Sequence, residues 1–226
     1  MPTPQRADGR RRRESLLDAA LDSFAEDGLL GVGIEQIRRR AGASPSSVYH
    51  HFRDIGDLTT AVLLRTFERV TAHMQSRLAR AGTAEETVRT LVDSFLEWAL
   101  AHPDEARFMY QAMALELSGP QHRDLLEAKA RLQEPIFARL RVLSDAGDLP
   151  PWPAAHLYSL LLGAVHDACR HFLAGAETDP AWMRAMLPGA AWRSLEPGAQ
   201  DDRADVVFMT NRDETVALPD TPIDRS

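Results

Sequence analysis

Apolar residues recur every three to four positions along most of the chain, a spacing that places them on one face of an α-helix. The first such stripe ends at Gly28, and glycine is typical of a helix C-terminus. A short helix closed by Gly42 follows. The next short helix opens with Ser44 as its N-cap and Pro45 as its first residue. Because strand-like alternation is not found before residue 200, the pattern predicts an all-α fold.

Two prolines mark changes in the later part of the chain. The stretch 121–146 has a helical pattern but contains Pro135, which should kink the helix. From Pro188 onward, proline, glycine, aspartate and arginine dominate, and this composition predicts a flexible acidic tail over 188–226. A short apolar run from Val206 to Met209 leaves open that part of the tail folds back as an edge strand.

The residue types exclude several classes of protein. A chain of 226 residues can bury a sizeable core, and its single cysteine, Cys169, has no partner for an internal disulfide bond. No apolar stretch approaches the ~20 residues that a membrane span needs. The basic N-terminus leads into acidic residues rather than an apolar segment, so no signal peptide is expected. These observations predict a cytoplasmic protein without a membrane segment.

The net charge of −7 is unevenly distributed along the chain. Residues 1–58 carry nine arginines and nine acidic residues, whereas 59–187 and 188–226 contribute −3 and −4. Within the neutral first segment, arginines cluster at 10–13 and 38–40. Because local charge decides whether a surface binds nucleic acid, the acidic total does not exclude a DNA-binding protein.

The stretch from Ile34 to Phe52 has the spacing of a helix-turn-helix motif. Small hydroxyl side chains at the start of its second helix suit contacts to phosphate oxygens, and the larger side chains that follow can reach base edges in a major groove. A plain helical hairpin with surface serines is the alternative. The DNA-binding residues predicted on this helix are Ser44, Pro45, Ser46, Ser47, Tyr49 and His50.

Residues 10–63 resemble the N-terminal domain of the TetR family of bacterial transcriptional regulators. The resemblance implies a helix-turn-helix DNA-binding domain over 14–58 and a helical effector-binding and dimerisation domain over 59–187. It also implies a homodimer that binds double-stranded DNA at a pseudo-palindromic operator and releases it on binding a small molecule, although an activator stays open. The matching residues are Leu17-Asp18-Ala19-Ala20, Phe24, Glu26-Asp27-Gly28, Ile37, Ala41-Gly42-Ala43-Ser44 and Ser47-Val48-Tyr49-His50-His51-Phe52, with Leu58.

Three positions depart from the family's usual pattern. Gly33 stands where a hydroxyl residue normally caps the second helix, and Arg39 stands where alanine is common. Ile55-Gly56 replaces the Lys-Glu pair that usually opens the fourth helix, which implies the loss of a phosphate contact. A basic N-terminal arm over 1–13 would compensate by reaching phosphates or the minor groove, unless it serves only solubility. Its basic residues are Arg10, Arg11, Arg12 and Arg13.

The segment 154–173 is the most apolar helix of the chain, with apolar residues on more than one face. Such a helix must be buried on both sides, inside a core or between subunits. The family resemblance implies that the last two helices pair with their counterparts in a second subunit as a four-helix bundle. The dimer-interface residues predicted on this basis are Tyr158, Leu161, Leu162, Val165, Cys169, Trp182 and Met186.

Aromatic and methionine residues on the middle helices suit an adaptable apolar ligand site, and a proline kink would help to open one between packed helices. The alternative is that these residues simply fill the core. Because few ionisable groups share their faces, the expected ligand is mostly apolar and not strongly charged. The predicted effector-binding residues are Phe95, Trp98, Met109, Tyr110, Met113, Phe137 and His166.

Other functions find less support in the residues. The histidine spacings do not match a metal site, no cofactor motif is found, and no acid–base or nucleophile set indicates an enzyme. Two alternatives stay open: a helical interaction protein that does not bind DNA, and a helical enzyme. The sequence therefore favours a DNA-binding transcriptional regulator, with repression relieved by a ligand.

Overall fold

The computed structural model describes residues 4–115 and 120–195. Within these ranges the chain contains no strand, and the predicted all-α fold is confirmed. None of the helices described there is long and apolar enough to cross a bilayer. The helices are α1 (Pro4–Asp27), α2 (Ile34–Arg40), α3 (Pro45–His51), α4 (Ile55–Leu78), α5 (Ala84–Ala101), α6 (Pro103–Ala114), α7 (Pro120–Asp145), α8 (Ala154–Leu173) and α9 (Pro180–Leu195).

Capping residues mark the ends of α1, α2 and α3, as the sequence predicts. Gly28 and Gly42 adopt positive φ angles of 77° and 58°, which a residue without a side chain tolerates. The Ser44 hydroxyl accepts a hydrogen bond of 3.2 Å from the Ser47 amide and so caps α3. Gly33 offers α2 no side-chain cap. The turn between α2 and α3 is therefore fixed mainly by the φ angle of Gly42 and the capping hydrogen bond of Ser44.

The basic segment 10–13 is helical and belongs to the 24-residue helix α1, which continues through the predicted boundary at residue 13. Arginine is a good helix former, and no helix-breaking residue separates Arg10 from the apolar stripe that begins at Leu16. The Arg13 guanidinium lies 5.4 Å from the centre of the Phe52 ring, which ties this segment to the end of α3.

Helix α9 also extends beyond its expected end, because it passes through Pro188 and continues to Leu195. A proline inside a helix removes one backbone hydrogen bond. Here the apolar stripe continues on the far side, with Leu187, Ala191 and Leu195 all buried, and this burial opposes the loss. The rest of the predicted tail, including Val206 to Met209, lies outside the described residues.

Helix α4 connects the two parts of the molecule. Its first turns supply Leu58 and Val62 to the core of α1–α3, and its later turns pack Phe67 and Met74 against the C-terminal helices. Arg65 on α4 pairs with Asp18 on α1 at 2.7 Å. The two parts therefore share one continuous apolar core rather than being joined by a flexible linker.

Helix α6 makes a second connection to the N-terminal helices. The Phe108 ring stacks on Phe24 of α1, with ring centres 5.2 Å apart and planes within 9° of parallel. At the start of α6, the buried Glu105 carboxylate forms an ion pair with Arg69 of α4, with 3.0 Å between the nitrogen and the oxygen. Movement of α6 would therefore displace side chains that contact α1 and α4 directly.

Candidate nucleic-acid interface and ligand cavity

Helix α3 presents most of its surface to solvent. Only Val48 is buried among its seven residues, and it packs into the core of the N-terminal helices. Tyr49 is 53% exposed, and His50 beside it is also exposed. Ser44 and Ser46 lie at the start of the helix with their hydroxyls 3.1 Å apart. An exposed polar helix supported by one apolar anchor has the form needed to enter a DNA groove.

Two of the three arginines of α2 form hydrogen bonds and ion pairs within the domain. The Arg38 guanidinium donates a 2.9 Å hydrogen bond to the Ala43 carbonyl and so stabilises the turn before α3. Arg40 makes a two-point pair with Glu26 of α1, which lowers the pKa of that carboxyl. Arg39 is left exposed on the outer face of α2. This structural use of Arg38 and Arg40 was not evident from the sequence.

A cleft of about 630 Å³ separates the N-terminal turns of α1 from α3. Arg11 and Arg12 line one wall, and Ser47 and His51 line the other. Arg11 also pairs with the neighbouring Asp8. Burial lowers the pKa of His51, and the nearby His50, Arg13 and Arg12 lower it further because positive neighbours oppose a charged imidazolium. The structure thus brings the predicted basic segment beside the predicted recognition helix.

The N-terminus of α4 carries negative charge where the resemblance implies a lysine in the family. The Asp54 carboxylate caps α4 by accepting a hydrogen bond of 2.7 Å from the Asp57 amide. The Asp57 carboxylate in turn accepts from the Arg53 amide at 3.1 Å. This helix end is therefore already occupied by side-chain acceptors, and Asp57 adds a negative charge within its first turn.

Comparison with known proteins assigns this part of the chain. Residues 16–62 match the family model described as bacterial regulatory proteins, tetR family. Residues 16–62 are a TetR-family DNA-binding domain. The resemblance is thereby confirmed for these residues, which form the DNA-binding domain of a transcriptional regulator.

Solved structures show that the fold continues through the C-terminal helices. A TetR family transcription regulator from Marinobacter aquaeolei VT8 has 17% identity and a TM-score of 0.70, with 86% of this chain and 99% of that chain covered. A tetR family regulatory protein from Rhodococcus RHA1 has 21% identity and a TM-score of 0.65, covering 82% and 97%. The regulator FadR from Bacillus subtilis, in complex with stearoyl-CoA, has 12% identity and a TM-score of 0.64, covering 79% and 96%.

The second apolar stripe of α8, which was predicted to lie at a dimer interface, is buried within the core of the single chain. Leu161, Leu162, Val165 and Cys169 are each 1% exposed. They are buried because α8 packs on α5, α6, α7 and α9 of its own chain. Burial also raises the pKa of the Cys169 thiol to about 12, so it stays protonated at neutral pH.

A different face of α8 is open to solvent. Leu160 is 49% exposed, and the small residues Gly163 and Ala164 lie exposed beside it. On α9, Trp182 and Met186, which were also predicted to lie at the interface, are 51% and 46% exposed. The outward Leu160 was missed because sequence periodicity does not reveal which of two apolar faces the neighbouring helices cover.

A cavity of about 60 Å³ lies among α4, α5, α6, α7 and α8 and contains four of the seven predicted effector residues. Of the other three, Tyr110 shares a 3.0 Å hydrogen bond with His166, and Phe137 packs edge-on against Tyr158. Trp98 is buried next to Phe95 and His102 rather than at the cavity. The lining residues are Phe67, Val70, Thr71, Met74, Phe95, Met109, Met113, Lys129, Gln133, Tyr158 and His166.

Lys129 is the lining residue that the sequence reasoning missed. Its ammonium lies 5.0 Å from the centre of the Phe67 ring, and burial lowers its pKa. Burial, followed by the charge of Lys129, lowers the pKa of His166 to about 4, so that imidazole is neutral at pH 7. This corrects the expectation that few ionisable groups face the site. One signal was present in the sequence, because Lys129 is the single lysine among 26 lysines and arginines.

Proposed function

We propose that the protein is a homodimeric repressor that releases its operator when a small molecule occupies the cavity among α4–α8. The observation that carries this proposal is the placement of α6. Met109 and Met113 of this helix line the cavity, whereas Phe108 stacks on α1 of the DNA-binding domain. One helix therefore touches both the ligand site and the helix next to DNA.

The DNA interface consists of α3 and the N-terminal turns of α1. Helix α3 enters a major groove with Tyr49 and His50 toward the bases, while the small residues at its N-terminus approach phosphates. The cleft lined by Arg11, Arg12 and Ser47 accepts the adjacent backbone. The residues assigned to DNA are Arg10, Arg11, Arg12, Arg13, Ser44, Pro45, Ser46, Ser47, Tyr49 and His50.

The dimer forms through the outward faces of α8 and α9. Leu160, Trp182 and Met186 provide exposed apolar area, and Gly163 with Ala164 permits close approach of a second helix. A two-fold axis along this face would place two copies of α3 on one side of the dimer. Two half-sites about one helical turn of DNA apart, ~34–36 Å, would then be read together.

Ligand binding acts through the spacing of helices. A ligand that enlarges the small cavity would move α4 relative to α6, because Phe67 of α4 and Met109 of α6 both line it. Phe108 and the Arg65–Asp18 pair would transmit this displacement to α1. By linkage, a ligand that favours the displaced arrangement lowers DNA affinity, and DNA lowers ligand affinity by the same factor. FadR from Bacillus subtilis, with stearoyl-CoA, supports a ligand with an apolar part.

The DNA interface is tested by salt dependence. Fluorescence anisotropy with DNA from upstream of the protein's own gene should give a negative slope of log affinity against log salt. Replacing Arg11 and Arg12 together by glutamine removes four cations from the dimer and should reduce the magnitude of the slope by about four. The matched control changes Arg131 and Arg141 to glutamine, because both are exposed on α7 and the charge change is equal. Equal slopes for all three proteins would exclude the proposed cleft from DNA binding.

A further inference from the structure

The lysine of the cavity stands out among the cations of this chain. Of the 26 lysine and arginine side chains, 25 are arginines, and Lys129 is the one side chain that carries an ammonium. An ammonium is a compact point charge that can approach one oxygen closely, whereas a guanidinium is broad and planar. The surface cations and the cavity cation thus differ in chemistry as well as in position.

Lys129 has no acidic partner among the described residues. Of the ion pairs found there, none includes it, although exposed arginines of the same helix pair with Glu127 and Glu134. Burial is the influence that lowers its pKa, with no opposing carboxylate, and its close contact is the Phe67 ring. A partly buried cation without a counter-ion is electrostatically unsatisfied, and a bound anion would stabilise it.

The surroundings of Lys129 combine a polar end with apolar space. Gln133, Tyr158 and His166 lie beside it in the cavity of about 60 Å³. A second space, of about 110 Å³, is lined by the same Phe67, Met113 and Lys129. The remaining residues of that space are all apolar: Leu63, Ala112, Leu115, Leu125 and Leu126.

We propose that the effector is an amphipathic carboxylate, with Lys129 as the counter-ion of its head group and the two apolar spaces as the site of its chain or ring. This inference rests on the proposed function and specifies its ligand class. A single carboxylate fits better than a phosphate ester, because one ammonium and a neutral imidazole balance only one negative charge. The small volumes favour a short alkyl chain or a single ring.

The single lysine makes the test direct. Reductive methylation with ¹³C-formaldehyde retains the charge of the amine and labels only Lys129 and the N-terminal amine. NMR titration of the full chain with octanoate should shift the Lys129 signal and raise its pKa, because a nearby carboxylate favours the charged form. Two probes of the same chain length provide controls: 1-octanol and octyltrimethylammonium should leave that pKa unchanged.

Substitutions test whether octanoate binding depends on the positive charge of Lys129. Lys129→Met retains the aliphatic length and should weaken octanoate binding at least about tenfold in calorimetry, as expected for losing a hydrogen bond to a charged group. Lys129→Arg retains the cation and should keep most of the affinity. Arg131→Met, on the exposed face of the same helix, should leave octanoate binding unchanged. Circular dichroism establishes that each variant folds.

The outcomes separate this inference from the proposed function. Absence of octanoate binding to the wild-type protein at millimolar concentration, or equal binding by Lys129→Met, would overturn the carboxylate assignment. A neutral compound that releases DNA equally from the wild type and Lys129→Met would also overturn it, while leaving the ligand-responsive repressor intact. Octanoate that binds at Lys129 without changing DNA affinity would support the site and contradict the repressor mechanism.

Discussion

Helices α3 and α8 were both marked by sequence as functional, but the tertiary structure treats them differently. Helix α3 has seven residues and buries only Val48. Helix α8 has 20 residues and buries seven of them against its own chain. A short polar helix at the edge of a domain keeps its outer face for a partner. Neighbouring helices of the same chain cover most apolar faces of a long central helix. Its pattern of apolar residues alone therefore does not identify an interface.

The charged side chains near α3 and α8 also differ in their exposure to solvent. Arg11 and Arg12 beside α3 are exposed, so each contributes modestly to binding and is screened by salt. Lys129 near α8 is partly buried over an aromatic ring, where screening is weak. We therefore expect DNA binding to depend on many small contributions, and the cavity to depend strongly on one cation.

The largest expected effect distinguishes the two faces of α8. Leu162→Glu places a carboxylate in the core and should destabilise the monomer by roughly 3–5 kcal/mol or prevent folding, because a buried charge without a partner is costly. Leu160→Glu, at a half-exposed site, should leave the monomer folded and weaken the dimer. Thermal unfolding by circular dichroism and sedimentation measure the two effects. A well-folded monomeric Leu162→Glu protein would instead restore the interface first expected from the sequence.

The next effect concerns the exposed face of α3. Tyr49→Ala should reduce specific operator affinity by about 1–3 kcal/mol while leaving thermal stability nearly unchanged, because the side chain is half exposed in the free protein. Tyr49→Phe separates the contribution of the hydroxyl from that of the ring. Leu30→Ala, at an 85% exposed position outside α3, is the matched control. Undiminished affinity of Tyr49→Ala would remove this residue from the recognition surface.

Ser44 allows stability and DNA binding to be separated at one position. Ser44→Ala removes the N-cap of α3 and should lower the free energy of unfolding by about 1 kcal/mol. Ser44→Asp keeps a capping oxygen, so stability should be retained, but its negative charge should weaken binding to phosphates. Chemical denaturation and anisotropy measure the two quantities. Equal DNA affinity for Ser44→Asp and wild type would place this helix end away from the DNA backbone.

The smallest effect is a pH dependence caused by Lys129. Because its pKa is lowered by folding, the unfolded chain binds more protons between the folded and unfolded pKa values, and stability rises with pH across that window. Lys129→Met lacks this contribution. The stability advantage expected for Lys129→Met at about pH 7 should therefore shrink as the pH approaches the ordinary lysine pKa of about 10.4. Urea denaturation at several pH values measures the difference, and a pH-independent difference would mean that folding does not shift the pKa.

Local sequence signals were sufficient to predict the short helices near the N-terminus. Gly28, Gly42, Ser44 and Pro45 act within a few residues of themselves, through φ angles and capping hydrogen bonds. The limits of α2 and α3 and the exposed placement of Tyr49 could therefore be predicted. The structural use of Arg38 could not, because its acceptor, the Ala43 carbonyl, is brought within reach only when the turn folds.

The sequence by itself determined the all-α class, the helix-turn-helix and the limits of its second helix, because these depend on periodicity and on contacts between near neighbours in the chain. Only the tertiary structure decided which apolar face of α8 is covered, that α9 continues past Pro188, and that Lys129 faces the cavity. Each of these depends on which helices pack together. Residues such as Phe67, Lys129 and His166 are far apart in sequence, and only the packing of α4, α7 and α8 makes them one site.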